Sequence, residues 1–195
     1  MARTKEFEQR EVLEKAMHLF WARGYNATSA QDLVDGLGIS RSSLYSTFGD
    51  KHQLFIKCLE LYRQQMSGQL IEMINESTNI EETLRHVFQR VIHDSLTDKL
   101  NKGCLMTNSS IELAPHDDEI AAIVAANTLD IENALKRLIE QGQQLGIITM
   151  TLSASSLARF LYNNIRGLRV LAKSKKLNQE VFDEIVNTTL SILKK

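Results

Sequence analysis

Apolar residues recur along this chain at intervals of three and four positions, which is the period of an α-helix. The pattern is strictest near the end of the sequence, where Phe182, Val186 and Leu193 belong to one such series. No segment shows the sustained two-residue alternation of a half-buried strand. A single Pro and nine Gly leave few interruptions. We therefore predict an all-α protein of about nine helices.

The residues between the apolar segments indicate where the predicted helices begin and end. We expect residues 1–7 to form a flexible arm that carries Arg3 and Lys5. Helices are predicted at about residues 8–23, 30–37, 41–48, 51–76, 80–100, 103–114, 116–146, 153–174 and 178–193. The long helix over residues 51–76 is expected to link the first three helices mechanically to the rest of the protein.

The second and third predicted helices form a compact motif around Gly38. Ser29 is a good N-cap, and Asp32 three residues later completes a capping-box pattern. Gly38 can adopt the left-handed conformation that ends a helix, and Ser40 caps the helix that follows. The sequence therefore predicts a helix-turn-helix.

The second helix of this motif has a short polar face. Leu44 and Phe48 point inward, so the remaining positions of the helix face outward. Hydroxyl groups, one Arg and one Tyr suit an element that lies against phosphates and base edges. The outward residues are Arg41, Ser42, Ser43, Tyr45, Ser46 and Thr47.

The overall charge does not support this interpretation by itself. The 195 residues carry a formal net charge of −1, whereas DNA-binding domains are often strongly basic. The charged start of the chain lacks the apolar core of a signal peptide, and no apolar run approaches the length of a membrane span. We expect a soluble cytoplasmic protein that does not interact with membranes.

Few residues suggest other chemistry. Cys58 and Cys104 match no zinc or redox spacing; Cys104, at a helix start, could be a redox sensor or a small buried hydrophobe.

Glu82 with His86 has the spacing of a metal pair, but the surrounding face is polar and typical of a solvated surface. Glu112 and His116 share that spacing across Pro115. We predict no metal, no cofactor and no enzymatic activity, because no nucleophile with a base and no phosphate-binding loop is present.

We expect the last two helices to form the interface of a two-fold dimer. One short helix reads a duplex weakly, and a dimer doubles its contacts. An apolar terminal pair could instead complete the core of one chain. The candidate interface residues are Phe160, Ile165, Leu168, Phe182, Ile185, Val186, Thr189, Leu190 and Leu193.

The region from Arg10 to Phe55 resembles the DNA-binding region of TetR-type transcriptional regulators, especially the AcrR-like branch. The resemblance covers about a quarter of the chain in one unbroken alignment. Ser42 stands where Gly is frequent in the family, and Thr47 stands where His or Tyr is frequent. The matching segments are Leu19-Phe20, Gly24-Tyr25, Thr28-Ser29, Asp32-Leu33, Gly38-Ile39-Ser40, Ser43-Leu44-Tyr45, Phe48 and Lys51 to Phe55.

The resemblance implies a homodimeric repressor that binds a roughly palindromic double-stranded DNA operator and is released by a small-molecule effector. Residues 1–50 would form the helix-turn-helix DNA-binding domain, and residues 51–195 the helical effector-binding and dimerisation domain. Carried over by position, the residues implied to contact phosphates or bases are Thr28, Arg41, Ser43, Tyr45 and Lys51. Ser29 and Ser40, at the starts of the two helices, are added as candidate contacts.

The implied effector site would lie between the fourth to eighth helices, since helical bundles build ligand sites from facing side chains. The candidate lining residues are Met66, Phe88, Met106, Asn108, Asn127 and Tyr162.

Two further functions fit an all-α chain. An adaptor that binds a ligand or a protein, without binding DNA, is compatible with the near-neutral charge. A helical enzyme would require turnover that survives loss of the first fifty residues.

Overall fold

The computed structural model describes residues 2–174 and 178–194, and within this part the fold is all-α, as predicted. The helices are α1 (Ala2–Arg23), α2 (Ala30–Leu37), α3 (Arg41–Phe48), α4 (Lys51–Tyr62), α5 (Gly68–Asn75), α6 (Ile80–Thr97), α7 (Leu105–Glu112), α8 (Asp118–Gln144), α9 (Ala154–Leu171) and α10 (Gln179–Ser191). A π-helical turn, Arg63–Ser67, joins α4 to α5 without a break in the helix. None of the described helices is long and apolar enough to cross a bilayer.

Several helices differ in extent or geometry from the sequence prediction. Helix α1 begins at Ala2, so the predicted arm over residues 1–7 is wrong for its described part: no Gly or Pro separates it from the helix. The predicted helix over residues 51–76 has the right extent but contains the π-helical turn. Helix α6 ends at Thr97, because the Asp98 carboxylate accepts hydrogen bonds from the backbone N–H of Leu100 and Lys102 and turns the chain.

The caps of the helix-turn-helix form as predicted. The Ser29 side chain accepts a hydrogen bond from Asp32 N, and the Asp32 carboxylate accepts one from Ser29 N, which completes the capping box. Gly38 has φ 67°, the left-handed conformation that a side chain disfavours. Ser40 accepts from Ser43 N at the start of α3. Local sequence therefore determines this part of the backbone.

Two hydrophobic clusters divide the interior. The first contains α1 to α4 together with Leu105 and Met106 of α7 and Ile120 and Val124 of α8. The second contains α5, α6, α9, α10 and most of α8. The change between clusters occurs at the π-helical turn, so it does not coincide with the predicted domain boundary at residue 50. The first three helices complete their core with residues from beyond position 100.

The terminal helices pack largely into their own chain. Six of the nine predicted interface residues are buried within the second cluster or against it, so they complete the core of their own chain, and their part in a subunit interface stays a prediction. Thr189 also lines a shallow surface groove beside Phe160. The six are Ile165, Leu168, Phe182, Val186, Thr189 and Leu193. The other three, Phe160, Ile185 and Leu190, are exposed or half-buried.

Candidate functional site

Helix α3 presents a continuous polar surface. Leu44 and Phe48 are buried, at 1% and 7% relative exposure, and fix the helix against the first cluster. The residues on the opposite face, Arg41, Ser42, Ser43, Tyr45, Ser46 and Thr47, are all exposed. Most of their polar groups are therefore available to an external partner, as the sequence predicted for this helix.

Arg41 lies next to a residue that sequence reasoning missed. Its guanidinium Nη2 is 3.4 Å from the Gln31 side-chain oxygen, in the first turn of α2. Gln31 is exposed and also donates to Asp35 at 2.8 Å. Gln31 lies two residues after the N-cap Ser29, in the part of α2 that faces α3. This position could have identified Gln31 as a candidate DNA contact.

Thr28 occupies a different position from the one predicted. Its side chain is fully buried, and its hydroxyl donates a hydrogen bond of 2.6 Å to the carbonyl of Gly24. The prediction that this side chain contacts DNA is therefore wrong: the hydroxyl closes the turn between α1 and α2. The hydroxyls of Ser29 and Ser40 are exposed but already serve as N-caps.

Lys51 lies at the start of α4, and its ammonium is 4.2 Å from the centre of the Tyr25 ring. Partial burial lowers the pKa of Lys51, and burial followed by the charge of Asp50 raises the pKa of Tyr25. Lys51 is thus half-buried against an aromatic face rather than fully extended into solvent. It remains beside the exposed Asp50 N-cap and the α3 surface.

Two acidic side chains connect the elements on either side of the helix-turn-helix, which are the loop before α2 and helix α4, to α7 and to the start of α8. The Glu112 carboxylate accepts hydrogen bonds from Tyr25 N at 3.2 Å and Asn26 N at 2.8 Å, in the loop after Gly24. His52 Nε2 and Asp117 Oδ2 are 2.6 Å apart. Glu112 thus binds backbone amides, and the described residues form no group of three potential metal ligands.

A cavity of about 640 Å³ lies between α1, α4, α5, α6, α9 and the segment before α7. Its lining residues include His18, Trp21, Tyr62, Met66, Gln69, Leu70, Arg90, Val91, Asp94, Asp98, Lys102, Gly103, Arg169 and Ala172. Met66 is the one predicted effector residue among them. The participation of α1 could not be read from helical periodicity, because it depends on how the two clusters pack together.

The other five predicted effector residues do not line this cavity, and their role in effector binding stays a prediction. Phe88 and Met106 are core residues, at 0% and 3% exposure. Asn127 Nδ2 donates to the Tyr162 hydroxyl at 3.4 Å, and both side chains are buried. Asn108 donates to the Lys102 carbonyl at 2.8 Å and accepts from Lys173. Of these residues, Asn108 contacts the cavity-lining residue Lys102 directly.

Cys104 follows the cavity residue Gly103 and differs from Cys58. The Tyr62 hydroxyl lies 3.5 Å from its Sγ. Burial by itself raises the pKa of Cys104, but the Arg169 guanidinium and hydrogen bonds from Tyr62 and Thr107 outweigh burial and lower it overall. Cys58 is fully buried, and burial strongly raises its pKa. Only Cys104 therefore combines partial exposure with thiolate stabilisation.

Comparison with known proteins decides the family. Residues 12–58 match the family described as "Bacterial regulatory proteins, tetR family", and residues 81–182 match the "Tetracyclin repressor-like, C-terminal domain". The chain belongs to the TetR family. This TetR-family chain is 33% identical to the HTH-type transcriptional regulator YezE of Bacillus subtilis (strain 168), with 99% of this chain and 100% of YezE covered.

Other relatives agree with this assignment. The HTH-type transcriptional repressor ComR of Escherichia coli (strain K12) is 30% identical, with 97% of this chain and 90% of ComR covered. The TetR-family protein is a DNA-binding transcriptional regulator, and the adaptor alternative is not favoured.

Solved structures share the fold. A TetR-family regulator from Agrobacterium tumefaciens superimposes with a TM-score of 0.86 at 20% identity, covering 97% of this chain and 99% of that chain. A cysteine mutant of the regulator CifR, solved with a 26-base-pair operator duplex, has a TM-score of 0.81 at 23% identity. It covers 93% of this chain and 94% of CifR.

Proposed function

We propose that this TetR-family regulator is a homodimeric repressor, without enzymatic activity of its own, that binds a roughly palindromic operator and is released by a small molecule. The observation that carries the proposal is the α3 surface: six exposed polar residues opposite two buried anchors, Leu44 and Phe48. ComR is named a repressor, and CifR was solved on operator DNA.

The proposed DNA contacts divide into two kinds. Arg41 is suited to bidentate contact with guanine, which discriminates between bases by about 1–3 kcal/mol. Tyr45 and Lys51 would contact phosphates and position the helix without reading sequence. Ser29, Ser40, Ser42, Ser43, Ser46 and Thr47 would supply further hydrogen bonds along the same surface.

The proposed dimer would use the outer side of α9 and α10. Phe160 is 38% exposed and lines a shallow groove with Ile185 and Thr188. Together with Leu190, these side chains would form the contact between subunits. A two-fold arrangement must place the two α3 helices about 34–36 Å apart, or at a multiple of one DNA turn. In this proposal residues 1–50, together with Lys51, bind DNA, and residues 51–195, together with His18 and Trp21 of α1, bind the effector and the second subunit.

The proposed release follows from the position of the cavity. His18 and Trp21 of α1 form part of its wall, so a ligand there contacts the DNA-binding unit directly. A ligand releases DNA only if it binds more tightly to the conformation with the wrong α3 spacing. A direct contact with α1 supplies such a difference in affinity.

Selection of duplexes from a random pool, followed by a salt titration, tests the proposal. The repressor should select a two-fold sequence, and the logarithm of its affinity should fall linearly with the logarithm of salt concentration. Tyr45→Phe and Lys51→Ala should weaken binding to all duplexes alike. Arg41→Ala should also reduce the preference for the selected sequence.

Arg85→Ala is the matched control for Arg41→Ala, because Arg85 is exposed on α6, away from the α3 surface. Equal losses in these two variants would assign the effect to net charge rather than to base contact. A chain that selects no duplex, or that is monomeric at micromolar concentration, would contradict the proposal.

A further inference from the structure

The charges in the cavity are predominantly positive, although the whole chain is slightly negative. The cationic lining residues are Arg90, Lys99, Lys102 and Arg169, and the carboxylates are Asp94 and Asp98. Two of the cations are already paired: Arg169 with Asp94 at 3.5 Å, and Lys102 with Asp98 at 3.9 Å. The cavity therefore has a local excess of cationic groups.

Arg169 has unused hydrogen-bond donors. Its guanidinium carries five N–H groups, and its side chain is 18% exposed. The bond to Asp94 is its one side-chain hydrogen bond within the described residues, and at 3.5 Å it is long. The Arg169 nitrogens that lack a hydrogen-bond partner are not fully enclosed by the protein. Because Arg169 lines the cavity, these donors reach the cavity.

Lys102 and Arg90 leave further positive charge in the wall. The Lys102 ammonium is 4.3 Å from the centre of the Trp21 ring, and Trp21 donates to the Gly103 carbonyl at 3.1 Å. Arg90 donates to the uncharged Gln69 amide oxygen at 2.8 Å. Burial and then the charge of Lys102 lower the pKa of His18, which indicates the same positive field.

The rest of the wall is apolar and aromatic. Trp21 and Tyr62 form an edge-to-face pair with ring centres 5.1 Å apart, next to Met66, Leu70 and Val91. A volume of about 640 Å³ falls within the range of small-molecule sites. The site thus combines an apolar and aromatic wall with cationic hydrogen-bond donors.

We propose that the effector of this regulator is a small organic carboxylate with an apolar body, whose carboxylate pairs with Arg169 and Lys102. The inference rests on the proposed ligand-released function and specifies its ligand class. The planar guanidinium matches a carboxylate in a bidentate arrangement. A single negative charge fits better than two, because Asp94 and Asp98 remain nearby.

Binding would change contacts that reach the DNA-binding unit. The ligand carboxylate competes with Asp98 for Lys102 and draws the ammonium away from the Trp21 ring on α1. Its apolar body packs against Trp21 and Tyr62. The differential contacts that release requires are therefore located at α1.

Matched probes test the proposal on the full-length protein by thermal shift and calorimetry. The probes are sodium benzoate against benzamide, and sodium hexanoate against hexanamide, at equal ionic strength. Each pair differs in the charged group but hardly in size. At least one carboxylate should raise the Tm and bind, whereas its amide should not.

Two variants locate the site. Arg169→Gln and Lys102→Gln should each weaken carboxylate binding about tenfold, the effect of losing one charge-assisted contact. Arg169→Lys, which keeps the charge, should retain part of the affinity if Arg169→Gln folds poorly. Arg159→Gln is the control, because Arg159 is on the same helix and its side chain is 72% exposed.

The results separate this inference from the proposed function. No shift with either carboxylate, equal shifts with the amides, or full affinity in Arg169→Gln and Lys102→Gln would overturn the ligand class. Duplex binding without any probe tests the repressor function independently. Normal duplex binding with no carboxylate response would leave the function intact and reject the inference alone.

Discussion

The α3 surface and the cavity are two candidate functional regions, and they are built in contrasting ways. The α3 surface uses consecutive residues of one short helix, and its polar groups face solvent while Leu44 and Phe48 fill the core. The cavity collects side chains from His18 to Ala172, and one of its ion pairs, Arg169 with Asp94, joins α9 to α6. The first region is determined locally, and the second is assembled from residues far apart in sequence.

This contrast has consequences for mutation. A substitution on the exposed face of α3 should remove a proposed contact with DNA but little of the folding free energy, because the side chain is largely exposed to solvent. A substitution in the cavity or its supports changes several coupled contacts at once. Glu112 and Asp117 connect α7 and the start of α8 to the first helices. Glu112 contacts the loop before α2, and Asp117 contacts His52 on α4.

The largest effect should come from the buried anchor of α3. We expect Leu44→Ala to lower the free energy of unfolding by about 2–5 kcal/mol, the range for removing a buried Leu side chain. Urea unfolding measures it. Leu129→Ala, at a position 57% exposed, is the control and should cost far less. Equal losses would mean that α3 is not anchored by the first cluster.

The next effect tests the contact between α7 and the loop that leads into the helix-turn-helix. Glu112→Ala removes the acceptor of Tyr25 N and Asn26 N, and we expect a loss of about 1–3 kcal/mol in unfolding free energy. Duplex affinity should fall as well, because these amides lie in the loop that leads into α2. Glu60→Ala, at an exposed position on α4, should leave both unchanged. Unchanged duplex affinity in Glu112→Ala would show that the contact is structural only.

The two cysteines compare the interior of the first cluster, at Cys58, with its edge beside the cavity, at Cys104. With N-ethylmaleimide, Cys104 should react at least about tenfold faster than Cys58, because its pKa is lowered and it is partly exposed. Mass spectrometry of the folded protein identifies the modified residue, and Cys104→Ser should abolish rapid labelling. Rapid labelling of Cys58 would indicate that the first cluster opens readily.

The smallest effect concerns pH. The hydrogen bond from Ile120 N, together with the contact to His52, lowers the pKa of Asp117 below 3.8. The native carboxylate therefore binds fewer protons than the unfolded one, so its contribution is present above the unfolded pKa and lost as pH falls through the lowered value. In Asp117→Asn the unfolding free energy should fall less as the pH is lowered, and the difference from the parent protein should be at most about 1 kcal/mol.

Urea unfolding at several acidic pH values measures this slope. The control is Asp118→Asn, an exposed position in the first turn of α8. If the slope of unfolding free energy against pH changes equally in both variants, the effect is not specific to Asp117.

The sequence predicted the parts of the fold that depend on neighbouring residues. Ser29, Asp32, Gly38 and Ser40 act within four positions of one another or of their partners, and each adopts the predicted role. The exposed face of α3 followed from the same reasoning, since Leu44 and Phe48 determine which side is buried.

Sequence reasoning was least informative where contacts between distant residues decide which side chains are buried. Thr28 is a local exception: it matches a motif position, but its hydroxyl donates to the Gly24 carbonyl, four residues earlier, and its side chain is buried. Phe88 and Met106 fill clusters rather than line a cavity. Arg169 carried no local signal: its role appears only when α9 packs beside α6 and the segment before α7.

The amino-acid sequence by itself determined the helices, the caps of the helix-turn-helix and the resemblance to TetR-type regulators, because hydrogen bonds and side-chain spacing within one helix are local. Only the tertiary structure decided that α7 and α8 complete the core of the first helices, that most of α9 and α10 packs inward, and that the cavity borders α1. Burial and charge pairing between distant helices are properties of the packed chain, and no short segment encodes them.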